Sequence, residues 1–199
     1  MLLWIRGAAA AGICDGPVIG VEPARSDSVA YSYVCRGQAQ VFDAADTLIN
    51  AITVWGPPRV DPDYEPRYLF VLETRDGRPS SFGWIYGPRI LTNLTVDAVN
   101  PIEYRFDFDP PLVLPHLGKF ALDVQARDFS VFGTLAATGD PYPGGQLCRT
   151  GPVYGCDIPG TAICQGFETL DLCFKVEFCT DAATAVKRKR WGDLKLLYR

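Results

Sequence analysis

Aromatic residues beside glycine and proline are the side chains of this sequence best suited to bind a ligand. Sugar rings stack on aromatic planes, while nearby polar groups hydrogen-bond the hydroxyls. The segments 61–68 (DPDYEPRY) and 80–88 (SSFGWIYGP) are the richest in such residues, and loops are the usual place for binding residues. The competing interpretation is that these rings seal the ends of a β-sheet core. The candidate ligand-binding residues are Trp55, Tyr64, Trp84, Tyr86, Tyr142 and Tyr154.

Cysteines form the second chemically informative set. The chain has seven, five of them within 148–179, and none forms a CxxC pair, which favours disulfides over zinc. Buried thiols and a metal site remain as alternatives. Disulfides would indicate an oxidising compartment, outside the cytoplasm. The odd total leaves at least one thiol unpaired, for which Cys14 or Cys35 is expected. The disulfide candidates are Cys148, Cys156, Cys164, Cys173 and Cys179.

Support for catalysis is thin. His116 is the only histidine and lies among apolar residues, so a Ser-His-Asp or histidine-metal site is not expected. Glu103, Asp107 and Asp109 share one face of a predicted strand, and residues two apart are roughly 7 Å apart, a spacing that glycosidase carboxylates also show. Alternating charges are nevertheless the ordinary exterior of a β-sandwich. We therefore expect a protein that is not an enzyme.

The elements that must position these residues are short β-strands. Residues alternate between apolar and polar in 103–109, 119–125 and 170–179, which predicts strands with one buried and one solvent-facing side. Frequent glycine and proline separate about eight such strands. The sequence predicts an all-β, antiparallel, two-sheet β-sandwich of the jelly-roll type. The predicted units are a leader or degenerate signal segment (1–36), the sandwich domain (37–180) and a basic tail (181–199).

The last predicted strand suggests a role for the loop DPYPGGQLCRTGPVYGC (140–156). Alternation places Asp171, Cys173 and Cys179 on the outward side of this strand. Outward cysteines can reach cysteines in the preceding connection, so the loop is expected to be pinned across the sheet surface. The pairing itself cannot be deduced from spacing.

Four stretches, QVFDAADTLINAITVW, IEYRFDFDPPLVLPHLGKFALDV, GDPYPGGQ and DLCFKVEF, resemble galactose-binding-like and carbohydrate-binding jelly rolls of secreted bacterial proteins. Phe120 departs from the tyrosine common in those modules. The resemblance implies the fold, and it implies a structural calcium ion held by carboxylates and carbonyl oxygens. Candidate calcium ligands are Asp43, Asp46 and Asp171, although Asp43 and Asp46 are equally typical of a turn.

Charge is unevenly distributed along the chain. The net charge is -4, yet 187–199 carries six basic residues and one acid, so the rest of the chain is strongly acidic. An acidic body argues against nucleic acid as a partner, and no stretch is apolar enough for a transmembrane helix. The tail RWGDLKLLYR resembles C-terminal endings of exported bacterial proteins. A docking tag, a membrane-surface helix and a disordered end are the alternatives.

These features together predict a non-catalytic domain at the cell surface or outside the cell, which binds carbohydrate or a cell-surface glycan through loop aromatics. The alternative is a structural or adhesion-type surface protein that docks to an export or envelope component through its basic tail. The two hypotheses place the functional residues in different parts of the chain.

Overall fold

The computed structural model describes residues 14–33, 36–60, 67–91, 96–126, 131–151, 162–164 and 167–180. These residues form β-strands and one short 3-10 helix, Pro23–Arg25, with no α-helix among them. None of their helices is long and apolar enough to span a membrane. The strands are β1 (Val18–Val21), β2 (Ser28–Tyr33), β3 (Gly37–Asp43), β4 (Leu48–Gly56), β5 (Arg67–Arg75), β6 (Arg78–Leu91), β7 (Ile102–Val113), β8 (Lys119–Ala126), β9 (Val131–Thr138), β10 (Leu147–Thr150), β11 (Ala162–Ile163), β12 (Leu170–Leu172) and β13 (Phe174–Cys179).

The strands are divided among three antiparallel sheets. Four strands follow the order β1-β13-β4-β7, six the order β11-β10-β3-β8-β5-β6, and three the order β12-β9-β2. The predicted all-β, antiparallel class is confirmed, whereas the predicted count of two sheets is wrong. The chain changes sheet at Cys173, since β12 pairs with β9 and β13 pairs with β4.

The main core lies between the four-stranded sheet and one face of the six-stranded sheet. The predicted alternation in β7 is confirmed, because Tyr104, Phe106 and Phe108 are buried there. Full burial of a large apolar side chain contributes roughly 1.5–3 kcal/mol. Large buried side chains of this core include Phe42, Ile49, Ile52, Leu69, Phe120, Phe174 and Phe178.

The other face of the six-stranded sheet encloses a second core. The sheet curls, so that β6 contacts β3 and β8 as well as the opposite edge strand, β11. Alternation predicts that Ala121, Asp123 and Gln125 face water, and this is wrong, because all three are at most 1% exposed. The apolar members of the second core are Ala39, Val41, Tyr68, Phe70, Leu72, Ala121, Cys148 and Cys164.

The N-terminal residues from Cys14 onward are part of the folded unit. Strand β1 pairs with β13, strand β2 pairs with β9, and Cys14 forms a disulfide with Cys179. The predicted boundary between a leader (1–36) and the domain (37–180) is therefore corrected. The expectation that Cys14 carries an unpaired thiol is also wrong.

A second disulfide links Cys148 in β10 to Cys164 beside β11. Cys173, predicted to join a disulfide, is instead a buried free thiol, because it lies at the break between β12 and β13. Burial, together with the charges of Asp27 and Glu22, raises the pKa of this thiol to about 11, which keeps it protonated and unreactive. Cys35, Cys156 and the tail 181–199 lie outside the described residues.

Candidate functional site

A cleft of about 270 Å³ lies where the C-terminal half of β6 meets the C-terminal half of β7. Tyr86 and Arg89 line it from β6, and Asp107, Asp109 and residues 110–113 line it from β7. Pockets for drug-sized ligands enclose roughly 300–1,000 Å³, so this cleft suits one small ring. We call it the Tyr86 cleft.

Tyr86 is fixed in this cleft by the main core. Its partly buried ring packs edge-on against Phe108, with ring centroids 5.1 Å apart and planes at 83°. Phe108 is itself buried by the alternation of β7. The ring therefore has little freedom to lose when a ligand binds, which lowers the cost of association.

The charged residues of the cleft differ in how they are engaged. Asp107 Oδ1 accepts a hydrogen bond of 2.8 Å from Arg105 Nε, which orients this carboxylate. Arg89 and Asp109 are exposed, and neither side chain has a hydrogen-bond or ion-pair partner within the described part of the chain. The cleft thus offers one guanidinium donor and two carboxylate acceptors beside an aromatic ring.

Arg105 also anchors a charged row on the outer face of the four-stranded sheet. Its two terminal nitrogens donate to both oxygens of Glu177 at 2.8 Å, and Lys175 Nζ lies 2.8 Å from Glu177 Oε1. Hydrogen bonds from Arg105 and Lys175 lower the pKa of Glu177 to about 2, although burial acts in the opposite direction. The position of Asp107 at the cleft is therefore tied to this row.

Replacing Glu177 by glutamine is expected to remove part of the acid sensitivity of the fold. A carboxyl group whose pKa is lower in the folded state stabilises fully above its ordinary pKa of 4.5 and loses this stabilisation as the pH falls toward 2. Urea unfolding from pH 7 to pH 2 should show a shallower acid loss for Glu177→Gln. Glu103→Gln, an exposed control on β7, should keep the wild-type slope. Equal slopes for Glu177→Gln and wild type would contradict the paired carboxylate.

The other predicted aromatics do not join Tyr86. Trp55 is inside β4, not a loop, and is only 8% exposed, so it seals the core. Trp84 is 41% exposed but packs against Phe70 of the second core, with centroids 5.6 Å apart. Tyr64 and Tyr154 lie outside the described residues.

Tyr142 belongs to the proline- and glycine-rich segment 139–145, which borders another cleft of about 330 Å³. Its hydroxyl oxygen accepts a hydrogen bond of 3.1 Å from the backbone N–H of Asp43. Lys119, which lines that cleft, is held by the Asp43 carboxylate and by the carbonyl of Gly144. These polar groups already have partners within the domain, so the contacts of this segment are structural.

The predicted calcium ligands have separate structural contacts. Asp46 Oδ1 accepts the backbone N–H of Thr47 at 2.7 Å in the turn after β3. Asp171 is buried and accepts Gln40 Nε2 at 2.7 Å and the backbone N–H of Tyr142 at 3.0 Å. Within the described residues, no group of three or more His, Cys, Asp or Glu side chains could share a metal ion. Asp43, Asp46 and Asp171 therefore form no such cluster in the described part of the chain. Calcium binding stays a prediction.

Sequence reasoning missed Arg89 as a candidate binding residue. Glu103, Asp107 and Asp109 stand out by their alternation, but Arg89 follows a Gly-Pro pair and has no pattern of its own. Its usable signal is that Gly87-Pro88 and Asp109-Pro110 lie within β6 and β7, beside charged residues. Proline cannot donate to a sheet ladder, so such pairs mark strand edges where side chains are accessible.

The described residues define an antiparallel all-β domain with two disulfides and a small cleft of aromatic and charged side chains. No protein-family model matches the chain, and no curated protein matches it. Among solved structures, it is similar to the cysteine protease and lectin-like domains of Cwp84, a surface layer associated protein of Clostridium difficile. That similarity has 10% identity and a TM-score of 0.45, and it covers 77% of this chain and 36% of that one.

A second similar structure is the clostridial cysteine protease Cwp84 after propeptide cleavage. It shows 12% identity and a TM-score of 0.48, over 78% of this chain and 38% of that one. The chain therefore spans little more than a third of the length of either protein. Because both TM-scores lie below 0.5, neither similarity supports a statement about the function of this chain.

Proposed function

We propose that this protein is a non-catalytic carbohydrate-binding domain and that the Tyr86 cleft is its binding site. The observation that carries the proposal is the juxtaposition of a fixed tyrosine ring with Arg89, Asp107 and Asp109 in a cleft the size of one ring. A sugar ring would stack on Tyr86. Its hydroxyls would accept from Arg89 and donate to the carboxylates, whose charge strengthens each hydrogen bond.

The same residues favour binding over reaction. Asp107 is oriented by Arg105 as a hydrogen-bond acceptor. His116, the single histidine, does not line the cleft and packs against Phe120, with ring centroids 5.1 Å apart. Among the described residues, the cleft holds no serine, threonine, cysteine or lysine; its nucleophile-type groups are Tyr86 and the carboxylates of Asp107 and Asp109, and the carboxylate of Asp107 is already engaged by Arg105. These features support a binding module.

The disulfides support a location outside the cytoplasm. Disulfides persist in oxidising compartments and are rare where thiols are kept reduced. Two are formed in the described residues, by Cys14 with Cys179 and by Cys148 with Cys164. We place the domain at the cell surface or in the extracellular space on this ground. The alternative role in docking concerns 181–199, which lies outside the described residues.

Binding to a panel of insoluble polysaccharides tests this function. We expect wild-type protein to be depleted by at least one member, and Tyr86→Ala to weaken its affinity roughly tenfold or more, as loss of an aromatic contact of ~1.5 kcal/mol implies. Arg89→Ala should weaken the same interaction. Trp84→Ala is the matched control. Trp84 is an exposed aromatic residue of the same strand, but its ring packs against the second core and not in the cleft, so this variant should bind like wild type. Equal binding by Tyr86→Ala and wild type would refute the assignment of the cleft.

A further inference from the structure

Three polar side chains meet inside the second core. Asp123 and Gln125 come from β8, and Thr150 comes from the end of β10. Their exposed fractions are 0%, 1% and 1%, so bulk water does not reach them. Buried polar groups cost free energy unless they are hydrogen-bonded, so this grouping needs a physical reason.

The Asp123 carboxylate contacts both of the other side chains. Thr150 Oγ1 lies 2.9 Å from each carboxylate oxygen of Asp123, and its hydroxyl donates to them. Gln125 Nε2 donates to Asp123 Oδ2, also at 2.9 Å. One base therefore contacts a hydroxyl nucleophile and the nitrogen of a carboxamide. The base is thus placed to take a proton from the hydroxyl and to return one to the carboxamide nitrogen.

Gly37 gives these side chains the room to meet. It lies in β3, between the two strands, and pairs with Gln125 on one side and with Thr150 on the other. A Cβ added at Gly37 would stand closer than 3.0 Å to Asp123 Oδ1, Thr150 Oγ1 and Gln125 Cγ. The absence of a side chain at this position lets Thr150 and Gln125 both reach the Asp123 carboxylate across the middle strand.

We propose that Thr150 and Gln125 react to form an ester cross-link between β10 and β8, with Asp123 as the base. The oxygen of Thr150 attacks Cδ of Gln125, and the hydroxyl proton passes to Asp123. The new C–O bond forms, the C–N bond breaks, and Asp123 returns the proton to the departing nitrogen. Ammonia leaves and the carboxylate ends in its starting state, so the step needs no oxidant or further reactant.

The surroundings of Asp123 suit this role. Burial raises the pKa of Asp123 to about 6, despite lowering contributions from its hydrogen bonds to Gln125 and Thr150. A base whose pKa is near neutral is effective at neutral pH. The dry site also protects the ester from hydrolysis once it has formed.

The unreacted amide leaves one polar group unsatisfied, which favours the product. Gln125 Oε1 is buried and has no hydrogen-bond partner among the described residues, a situation that costs ~1–3 kcal/mol. An ester has no N–H donors to satisfy. After ammonia has left, Asp123 no longer has its two donors; a proton taken up from solvent in a separate step would let it donate to the ester carbonyl. The cross-link thereby reduces the number of buried polar groups in the second core that need a hydrogen-bond partner.

Mass spectrometry of the full-length chain, with disulfides reduced and cysteines alkylated, tests the proposal. The intact mass should be one ammonia molecule lower than the mass calculated for the sequence with every cysteine alkylated. A tryptic digest should contain peptide 120–127 joined to peptide 150–175, with fragment ions that place the link at Gln125 and Thr150. An unmodified mass for wild-type protein after prolonged incubation would overturn the proposal. An ammonia loss located at an asparagine would also overturn it.

Variants separate the cross-link from other sources of ammonia loss. Thr150→Val removes the nucleophile and Asp123→Asn removes the base, so both chains should have the full sequence mass. Thr134→Val is the matched control, because Thr134 is another buried threonine, located in β9, whose hydroxyl has no hydrogen-bond partner in the described part of the chain. It should keep the mass deficit. A mass deficit that persists in Thr150→Val would contradict the assignment. If a variant fails to fold, the peptide map of the wild-type protein tests the cross-link instead.

Discussion

Replacing Cys14 and Cys179 together by alanine is expected to lower the free energy of unfolding by about 5 kcal/mol. This disulfide joins the residues before β1 to the last residue of β13, over a sequence separation of 165. Closing such a long loop removes much of the conformational entropy of the unfolded chain. Strand β1 is a four-residue edge strand on β13, so the disulfide also retains it at the sheet.

The Cys148–Cys164 disulfide is the natural comparison, because its sequence separation is 16. The same entropy relation gives roughly 3 kcal/mol for a loop of that length. Urea unfolding of the two double-alanine variants under oxidising conditions should therefore rank Cys14/Cys179 as the more costly loss. An equal or larger loss for Cys148/Cys164 would show that loop entropy does not control the contribution of these disulfides.

Replacing Asp171 by alanine is expected to cost about 3 kcal/mol of folding free energy. Asp171 accepts hydrogen bonds from Gln40 and from the backbone N–H of Tyr142, and Gln40 Oε1 in turn accepts the backbone N–H of Leu172 at 2.8 Å. This network joins β3 and β12 to the segment 139–145. Truncation would leave buried donors without acceptors, which costs more than the hydrogen bonds contribute.

Thermal or urea unfolding of Asp171→Ala measures this cost, with Asp43→Ala as the control. Asp43 is exposed and forms a surface ion pair with Lys119 at 3.1 Å, a type of contact that contributes ~0–1 kcal/mol. The control should therefore differ little from wild type. A loss for Asp171→Ala no larger than that for Asp43→Ala would contradict the structural role of the buried network.

The parts of the fold that the sequence predicts well are those with strong local patterns. Alternation locates β7 and β8 and identifies Tyr104, Phe106 and Phe120 as core residues. The dipeptide Asp76-Gly77, a typical turn sequence, lies in the hairpin between β5 and β6, where both residues have positive φ, 52° and 73°. Such a turn matches the twist of paired strands, and glycine adopts it without strain.

Features that depend on long-range pairing do not show in the sequence. Alternation says which residues share a face, but it does not say that the six-stranded sheet curls and covers Asp123 and Gln125. It also does not reveal the break at Cys173, where one predicted strand becomes two strands in different sheets. Tertiary context decides both outcomes, and both determine which polar residues are buried.

The candidate site illustrates the same limit. Trp84 and Tyr86 are two residues apart in β6 and would share a face in a regular strand. Register shifts between β5 and β6 intervene, so that Trp84 lies opposite Leu72 and packs toward the second core, while Tyr86 lies opposite Val71 and packs toward the main core. A bulge reverses the side-chain direction, and neither residue type nor spacing predicts it.

The most direct test of the proposed function is to map sugar binding on the backbone amides by NMR. Wild-type protein would be titrated with soluble oligosaccharides from the polysaccharide that depletes it. We predict that the amide shifts that change lie at Tyr86, Arg89, Asp107, Asp109 and 112–113, and that they are lost in Tyr86→Ala. Shift changes confined to another surface, or none with any sugar tested, would contradict the assignment of the Tyr86 cleft as a carbohydrate site.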